Sequence, residues 1–571
     1  MNKMKQTLAT CCLAAITILL VAYSGVPASA EPELFVPPLY IPPQKEYVEK
    51  TVYRSDFSRG TEGYSSNKEF INFEVIDRDQ SSVLKVTRKT GAAWWENVTL
   101  DLTPYLEEDK DYFFSVDVLH DDGERAGLWT TLHNSDSNKG GKHYSATSGK
   151  WANLKAVANL ESLSNPRISF SSEKETYYIR NVVVMEINQD STTAANDPYS
   201  MAKYAKNGNF MFGTILGGRQ LDDKNYLNYI ANHYNILSCG NWIMLDHSAT
   251  QQNAKANPDN PMPVSGFEET DRIYEFAKAN KMRIRGHALF NGYEFNRWIL
   301  RHDYTETGTP VSKEVAQQRL EHYIRDVITH CETNYPGITY GWDIINENFI
   351  CEECDGVRNP FFEYFGKDYV KMIFSFARKH SNLKLFYNDW ATFGKEARKH
   401  HIEIANWLND GIPVRGWDGQ PLIESGLKLI DGIGMECYIP IDDPNILNPK
   451  AEDYIMKVVR EYNKAGLEVQ MTETTIFSYD NTVQGQKEHA KFLYILLRTL
   501  LIENPKLQAE GLAGITCVSF WSVTDAFDLL ENDYAYGLAG LASGFLDFCY
   551  NPKPTFYAVI AALKGERFPF D

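Results

Sequence analysis

From residue 201 onward the chain repeats one rhythm: a short apolar run, a polar loop, then a segment with helical spacing. Eight runs read as strands: FMFGTILG, YNILSCGNW, MRIRGHALF, TYGWDIINE, LKLFYNDW, LIDGIGMEC, EVQMTETT and ITCVSFWS. Helices are expected between them, among them Val311–His330, Asp368–His380, Lys395–Leu408, Pro449–Ala465 and Gln484–Leu500. Strand–helix alternation implies a parallel sheet, because parallel neighbours need a long crossover to bring the chain back. Eight such units predict an α/β fold, a closed (β/α)8 TIM barrel over residues 201–571. A doubly wound open sheet is the alternative, but no glycine-rich phosphate fingerprint follows any of the runs.

At 571 residues the chain exceeds one ordinary core, so a second domain is expected. Residues 48–190 carry short alternating runs (SSVLKVTRK, WWENVTLDL, YFFSVDVLH, GLWTTLH, KWANLKAVANL, RISFSS, YYIRNVVVMEI) separated by Gly, Asp, Asn and Ser clusters. Many short strands with almost no helical period predict an all-β, jelly-roll-like sandwich. Residues 31–47 are Pro-rich and read as an extended linker, and polar residues 191–200 read as a second. Residues 1–30 read as a signal peptide, with basic MNKMK, an apolar stretch from Thr7 to Ala22, and a small-x-small site at Ala28-Ser29-Ala30. A secreted or exported protein, extracellular or periplasmic, is therefore expected, with no membrane insertion once the signal is removed. A membrane anchor is the alternative, but the apolar run is short for a bilayer.

The formal net charge of −18 repels a phosphate backbone, so no nucleic-acid partner is expected, whereas a neutral polymer is indifferent to it. The 11 Trp and 33 Tyr suit the apolar faces of sugar rings, although a large core also uses aromatics. Removal of the signal leaves seven cysteines: Cys239, Cys331, Cys351, Cys354, Cys437, Cys517 and Cys549. The number is odd, so at least one is free or intermolecular. Cys351 and Cys354 form a CxxC, but no second CxxC and no HxxxH follows. A local disulfide or plain thiols are expected there, and no metal site is assigned.

Polar residues gather at the C-terminal ends of the predicted barrel strands, the face on which barrel active sites are built. The fourth strand ends in Asn346-Glu347, the fifth in Asn388-Asp389, the sixth in Glu436-Cys437-Tyr438, and the seventh in Thr472-Glu473-Thr474, while the eighth carries Trp521 and Asp525. Two carboxylates at the ends of strands four and seven face each other across a barrel mouth. Glycoside hydrolysis needs such a pair, one protonated to serve the leaving group and one ionised to attack the anomeric carbon. A single Glu at a strand end reads as a solvated loop residue. Two Glu, each following an apolar strand, favour the functional reading.

YGWDIINE is similar to the acid/base motif of glycoside hydrolase family 10, the xylanase family, and QMTE to its nucleophile motif. FGTILGGRQLDD, RGHAL, LFYNDW, IDGIGM and FWSVTD, followed by LDFCYNPKPTFYAV, resemble further family segments in the right order, so the resemblance spans most of 205–565. It implies a secreted retaining endo-hydrolase of a β-1,4-xylan-type polysaccharide with no metal cofactor. Glu347 would be the acid/base and Glu473 the nucleophile. Asn346 would bond the 2-hydroxyl of the cleaved sugar. His287, Asn241, Asn388, Asp389, Glu436, Tyr438, Trp521 and Asp525 would be substrate-binding or supporting residues. A polysaccharide partner and a monomer are expected. The upstream sandwich resembles carbohydrate-binding modules of families 22 and 4/9, with Trp94, Trp95 and Trp129 as sugar-stacking candidates. Such modules can hold a structural calcium, which no sequence pattern here places.

The chain departs from the family around the pair. The Glu-Asn-x-x-Lys-Trp run after strand two becomes Gly240-Asn241-Trp242-Ile243-Met244-Leu245. Trp-His becomes Asn291-Gly292, and Gln-Ser-His becomes Glu436-Cys437-Tyr438. The late Trp is missing near 526–530. The catalytic pair is kept while its binding shell is rewritten, which leaves a different β-glycan, or a catalytically weak carbohydrate-binding protein, as alternatives. An ionised Glu436 close to Glu347 would raise the acid/base pKa; otherwise Glu436 pairs with a basic residue or turns to solvent. Tyr438 can donate a hydrogen bond to Glu473 but cannot become cationic near neutral pH.

Overall fold

The eight expected strands form in sequence order: β1 Met211–Leu216, β2 Ile236–Cys239, β3 Arg283–Gly286, β4 Thr339–Asn346, β5 Lys384–Asp389, β6 Gly432–Pro440, β7 Glu468–Phe477 and β8 Ile515–Phe520. Each pairs in parallel with the next, and β8 pairs back onto β1, so the sheet closes without an edge. A two-residue strand, Phe290–Asn291, adds to the end of β4. Strands β2 and β7 are buried along their whole length, as expected of barrel strands covered by helices on the outside and side chains within. The computed structural model describes residues 50–570 apart from 62, 67–68, 90–96, 109, 124, 135–136, 150, 161, 188–199, 240–246, 258–261, 263, 292–296, 348–359, 479–482, 526–542 and 548–549.

Helices Asp368–His380 and Lys395–Leu408 fall where the sequence puts them. The expected Val311–His330 forms as Lys313–Asn334, with the Ser312 hydroxyl capping Val315 N–H, and Pro449–Ala465 shortens to Ile455–Lys464. The expected Gln484–Leu500 runs on to Ala509, through Pro505. A proline ordinarily stops a helix. Here the preceding Asn504 is buried and its side chain pairs with the backbone at the start of β8, accepting from Ile515 N–H at 2.7 Å and donating to Ile515 C=O at 2.9 Å.

Upstream, two antiparallel sheets share one core. One contains the strands Ile71–Arg78, Ser81–Arg88, Thr176–Ile187, Lys110–Leu119 and Ala152–Leu160 in that spatial order, with Lys50–Ser55 also paired to Thr176–Ile187. The other runs Tyr64–Ser66, Val98–Asp101, Arg167–Ser172, Arg125–Asn134 and Ser137–Thr147. Alternate residues point inward, as in Leu84 and Val86, Tyr112 and Phe114, and Ile168 and Phe170. The sequence missed Ile71–Arg78, whose burial is mixed, and Ser137–Thr147 (SNKGGKHYSAT), which has no apolar alternation.

The chain divides into two compact units: Met1–Ser191 with Ser478–Thr482 and Ser522–Lys553, and Thr192–Phe477 with Val483–Trp521 and Pro554–Asp571. Cys239, Cys331, Cys437 and Cys517 are free and buried; Cys351, Cys354 and Cys549 lie outside the described residues. No helix among the described residues is long and apolar enough to cross a membrane.

Candidate active site

The C-terminal ends of β3 to β7 supply one connected set of buried polar side chains. Asn388, near the end of β5, is its hub. Its Nδ2 lies 2.6 Å from Asn346 Oδ1, 3.0 Å from Glu436 Oε1 and 3.0 Å from Glu473 Oε1. Its Oδ1 accepts from the Thr472 hydroxyl at 2.5 Å. The amide has two protons for three acceptors. Gly434 on β6 leaves the space, because a Cβ there would collide with Asn388 Oδ1.

Two bulges aim these groups. Along a regular strand, residues an odd number apart point to opposite faces. On β4 the register with β5 shifts between Asp343 and Ile345, so Asp343 and Asn346 both reach buried partners at the site. Between β6 and β7 a shift after Met435 sets Glu436 opposite Glu473, and the adjacent Thr472 and Glu473 both reach Asn388. A bulge inserts one residue and re-aims the side chains beyond it.

Glu473 is buried and held from three sides. Asn388 donates to Oε1, the Tyr438 hydroxyl donates to Oε2 at 3.1 Å, and His287 Nε2 lies 3.6 Å from Oε1. The other ring nitrogen of His287 is 2.9 Å from Asp343 Oδ2. Asp343 Oδ1 accepts from Arg285 Nη2 at 2.5 Å, and Arg285 Nε donates to Gln470 Oε1 at 2.6 Å. Both imidazole nitrogens thus face carboxylate oxygens. Burial raises the Glu473 pKa, opposed by the nearby His287 and by the hydrogen bonds from Tyr438 and Asn388.

Glu347 follows β4 directly and is partly exposed. Its backbone is left-handed at φ 49°, and its N–H donates to Asn388 C=O at 3.0 Å. That conformation costs a non-glycine residue about 1–2 kcal/mol. Glu436 is buried and hydrogen-bonded to Glu347. Its pKa stands well above the ordinary carboxylate range because of burial and then the charges of Glu473, Glu347 and Asp389. Among the described residues Glu436 has no basic partner in an ion pair, and it is buried and does not face solvent. Burial first, and then the charges of Glu473, Glu436 and Glu347, also raises Tyr438.

Of the residues singled out in the sequence, Asn346, His287, Glu347, Asn388, Glu436, Tyr438 and Glu473 meet here. Asp389 is buried and lies 3.3 Å from His401 Nε2. Trp521 sits edge-on to His287, with ring centroids 5.6 Å apart. Asp525 belongs to the other compact unit, where both its oxygens contact Lys553 Nζ at 3.0 and 3.1 Å. Asn241, Trp94 and Trp95 lie outside the described residues. Trp129 lies in the strand Arg125–Asn134, in register with Ser171 and His143. Sequence reasoning passed over Arg285, Asp343 and Gln470, and named Thr472 only as a polar residue at a strand end. The available signal was a polar residue within an otherwise buried strand, which must find a partner. Among the described residues no group of three or more His, Cys, Asp or Glu side chains could hold a metal ion.

The family model for glycosyl hydrolase family 10 matches residues 200–562. The chain is 25% identical over 543 residues to endo-1,4-beta-xylanase A of Thermotoga neapolitana, covering 90% of this chain and 47% of that protein. It is 29% identical over 366 residues to endo-1,4-beta-xylanase B of Butyrivibrio fibrisolvens, covering 62% and 52%. It therefore spans about half the length of these relatives. Its fold is similar to that of the solved CBM22-1–GH10 modules of a Clostridium thermocellum endo-1,4-beta-D-xylanase, with a TM-score of 0.52 and 19% identity, covering 91% of this chain and 98% of that one. With well over half its residues inside the family match, the chain belongs to glycosyl hydrolase family 10.

Proposed function

We propose that this chain hydrolyses a β-1,4-linked, xylan-type polysaccharide with net retention, using Glu473 as nucleophile and Glu347 as general acid/base. The observation that carries the proposal is the surroundings of buried Glu473: hydrogen bonds from Asn388 and Tyr438, and the His287 imidazole 3.6 Å away. Glu473 would attack the anomeric carbon while Glu347 gives its proton to the departing glycosidic oxygen. The glycosidic bond breaks and an ester to Glu473 forms. Water, losing a proton to Glu347, then displaces Glu473. Asn346, whose Oδ1 accepts from Asn388, would bond the 2-hydroxyl of the reacting sugar. The xylanase names of the two relatives supply the substrate class. Proton NMR of early products from a xylo-oligosaccharide tests the reading: β-anomers should appear first, and α-anomers first would overturn it.

The upstream sandwich is proposed as a carbohydrate-binding module, supported by the fold likeness over 91% of the chain to a CBM22-1–GH10 pair. The basic, apolar and small-residue pattern of residues 1–30 supports secretion. A second reading, a β-glycan other than plain xylan, rests on Glu436 and Tyr438 standing beside Glu473. Initial rates on a panel of β-glycans discriminate the two.

Tyr438 also sets a pH prediction. Its hydroxyl stabilises ionised Glu473, so Tyr438→Phe should raise the nucleophile's pKa. The acidic limb of kcat/KM should move to higher pH by about one unit, the size of one hydrogen bond to a charge. An unmoved acidic limb in the variant would mean that the phenol does not govern the ionisation of Glu473.

A further inference from the structure

We propose that Glu436 is a third carboxyl of this active site, carried as the neutral acid, and that it positions Glu347 by donating a hydrogen bond to it in both steps of the reaction. The proposal rests on the reading of Glu347 and Glu473 given above and deepens it. It stands first on position. The bulge between β6 and β7 sets Glu436 directly beside Glu473, and one Asn388 nitrogen lies 3.0 Å from an oxygen of each. Glu436 is only 5% exposed, so water cannot screen a charge there.

The charge balance points the same way. Glu436 is faced by Glu347 from the end of β4, Asn388 and Asp389 from β5, Tyr438 from its own strand and Glu473 from β7. The basic side chains of this region already have acidic partners: Arg285 with Asp343, His287 between Asp343 and Glu473, and His401 with Asp389. Among the described residues no Lys, Arg or His makes an ion pair with Glu436. Two carboxyl groups in contact cannot both ionise without a large penalty, and the more buried one keeps the proton. Burial and the neighbouring carboxyls raise Glu436 accordingly.

The consequence is a site of constant charge. In the free enzyme Glu473 is ionised while Glu347 and Glu436 are protonated, so the three carboxyls hold one negative charge. In the first step Glu347 passes its proton to the departing oxygen and becomes the carboxylate, while Glu473 becomes a neutral ester. The count is again one. The Glu436 proton is not transferred; its hydrogen bond supports the new charge on Glu347. Water then returns a proton to Glu347 and frees Glu473 as a carboxylate. The family's Gln at this position can also donate a hydrogen bond, but it cannot ionise. Glu436 therefore adds a titration of its own: its proton leaves only after Glu347 has ionised, and until then the carboxylic O–H favours the carboxylate form of Glu347.

The test is a pH titration of the full chain labelled with 13C at glutamate side-chain carboxyls, followed by NMR, together with the pH profile of kcat/KM on an aryl β-xyloside with a poor leaving group. Glu436→Gln should remove one carboxyl signal that titrates above the ordinary glutamate range, and should raise the basic limb of the profile by about half a pH unit, because an amide N–H supports the Glu347 carboxylate less well than a carboxylic O–H. A merely structural role for Glu436 would alter thermal stability and move neither readout. An unchanged set of high-titrating signals, or an unmoved basic limb in an active variant, overturns the inference. Should the variant not fold, the wild-type titration decides alone: a wild-type chain in which every glutamate titrates in the ordinary range overturns it. Failure of the underlying reading looks different, because it appears as surviving turnover in Glu473→Ala.

Discussion

Glu473→Ala should abolish turnover, with kcat/KM on xylo-oligosaccharides falling by on the order of 10⁵-fold. The magnitude comes from what the side chain does in the proposed reaction. No other carboxylate takes its place: Glu436 holds a proton and bonds Glu347, and Asp343 is engaged by Arg285 and His287. The fold should survive, since the strand pairing is backbone-made and the buried Arg285–Asp343 pair is untouched. Asn388, Tyr438 and His287 would be left facing a small void. Added azide should enter that void and attack the anomeric carbon of an activated substrate, giving the α-glycosyl azide. Circular dichroism establishes that the variant is folded, and product NMR identifies the azide. A folded Glu473→Ala protein retaining more than about one hundredth of wild-type kcat/KM would remove Glu473 from the nucleophile's role.

The second large effect belongs to Glu347, and it depends on the leaving group. General acid assistance is worth about 10²–10⁴-fold. Glu347→Ala should lose that much on xylo-oligosaccharides, whose departing alkoxide needs a proton. On a dinitrophenyl glycoside, whose phenolate leaves without one, formation of the ester should be little affected and its hydrolysis should limit the rate. A burst of dinitrophenol followed by slow turnover is the expected trace. Azide should accelerate the slow phase, because an anion attacking the ester needs no base, and the product should be the β-glycosyl azide. Equal losses on both substrates would show that Glu347 acts in binding or folding. The variant also removes the acceptor of the Glu436 hydrogen bond, so Glu436 should remain protonated to a different pH in the 13C titration.

The legible parts of the protein were those written in local periodicity. Apolar runs such as LKLFYNDW and EVQMTETT specify buried strands whatever surrounds them, and Asp368–His380 forms over the predicted residues because its amphipathic pattern is complete within its own sequence. The order of those elements determined the closed barrel, since parallel strands joined by helices close or stack in few ways. Glu347 and Glu473 could be read because one directly follows such an apolar strand and the other stands in the C-terminal half of one. Where the pattern was weak, reading failed: SNKGGKHYSAT forms a strand through its pairing with Arg125–Asn134, which no residue within it announces.

Other features were decided only by packing across strands. Thr472 and Glu473 are consecutive, and the sequence alone points them to opposite faces; the register shift between β6 and β7 brings both to Asn388. Asp343 and Asn346 are reconciled in the same way on β4. Glu436 was visible as a departure from a familiar motif, but its protonation was not, because that depends on which basic side chains the fold has already paired with other carboxyls. Arg285 and His287 are spent on Asp343 and Glu473, so Glu436 is left to keep its proton. The sequence by itself determined the strands, their order and the two carboxylates. The tertiary structure decided which side chains share a proton, because register shifts and charge balance are properties of neighbouring strands and not of any one of them.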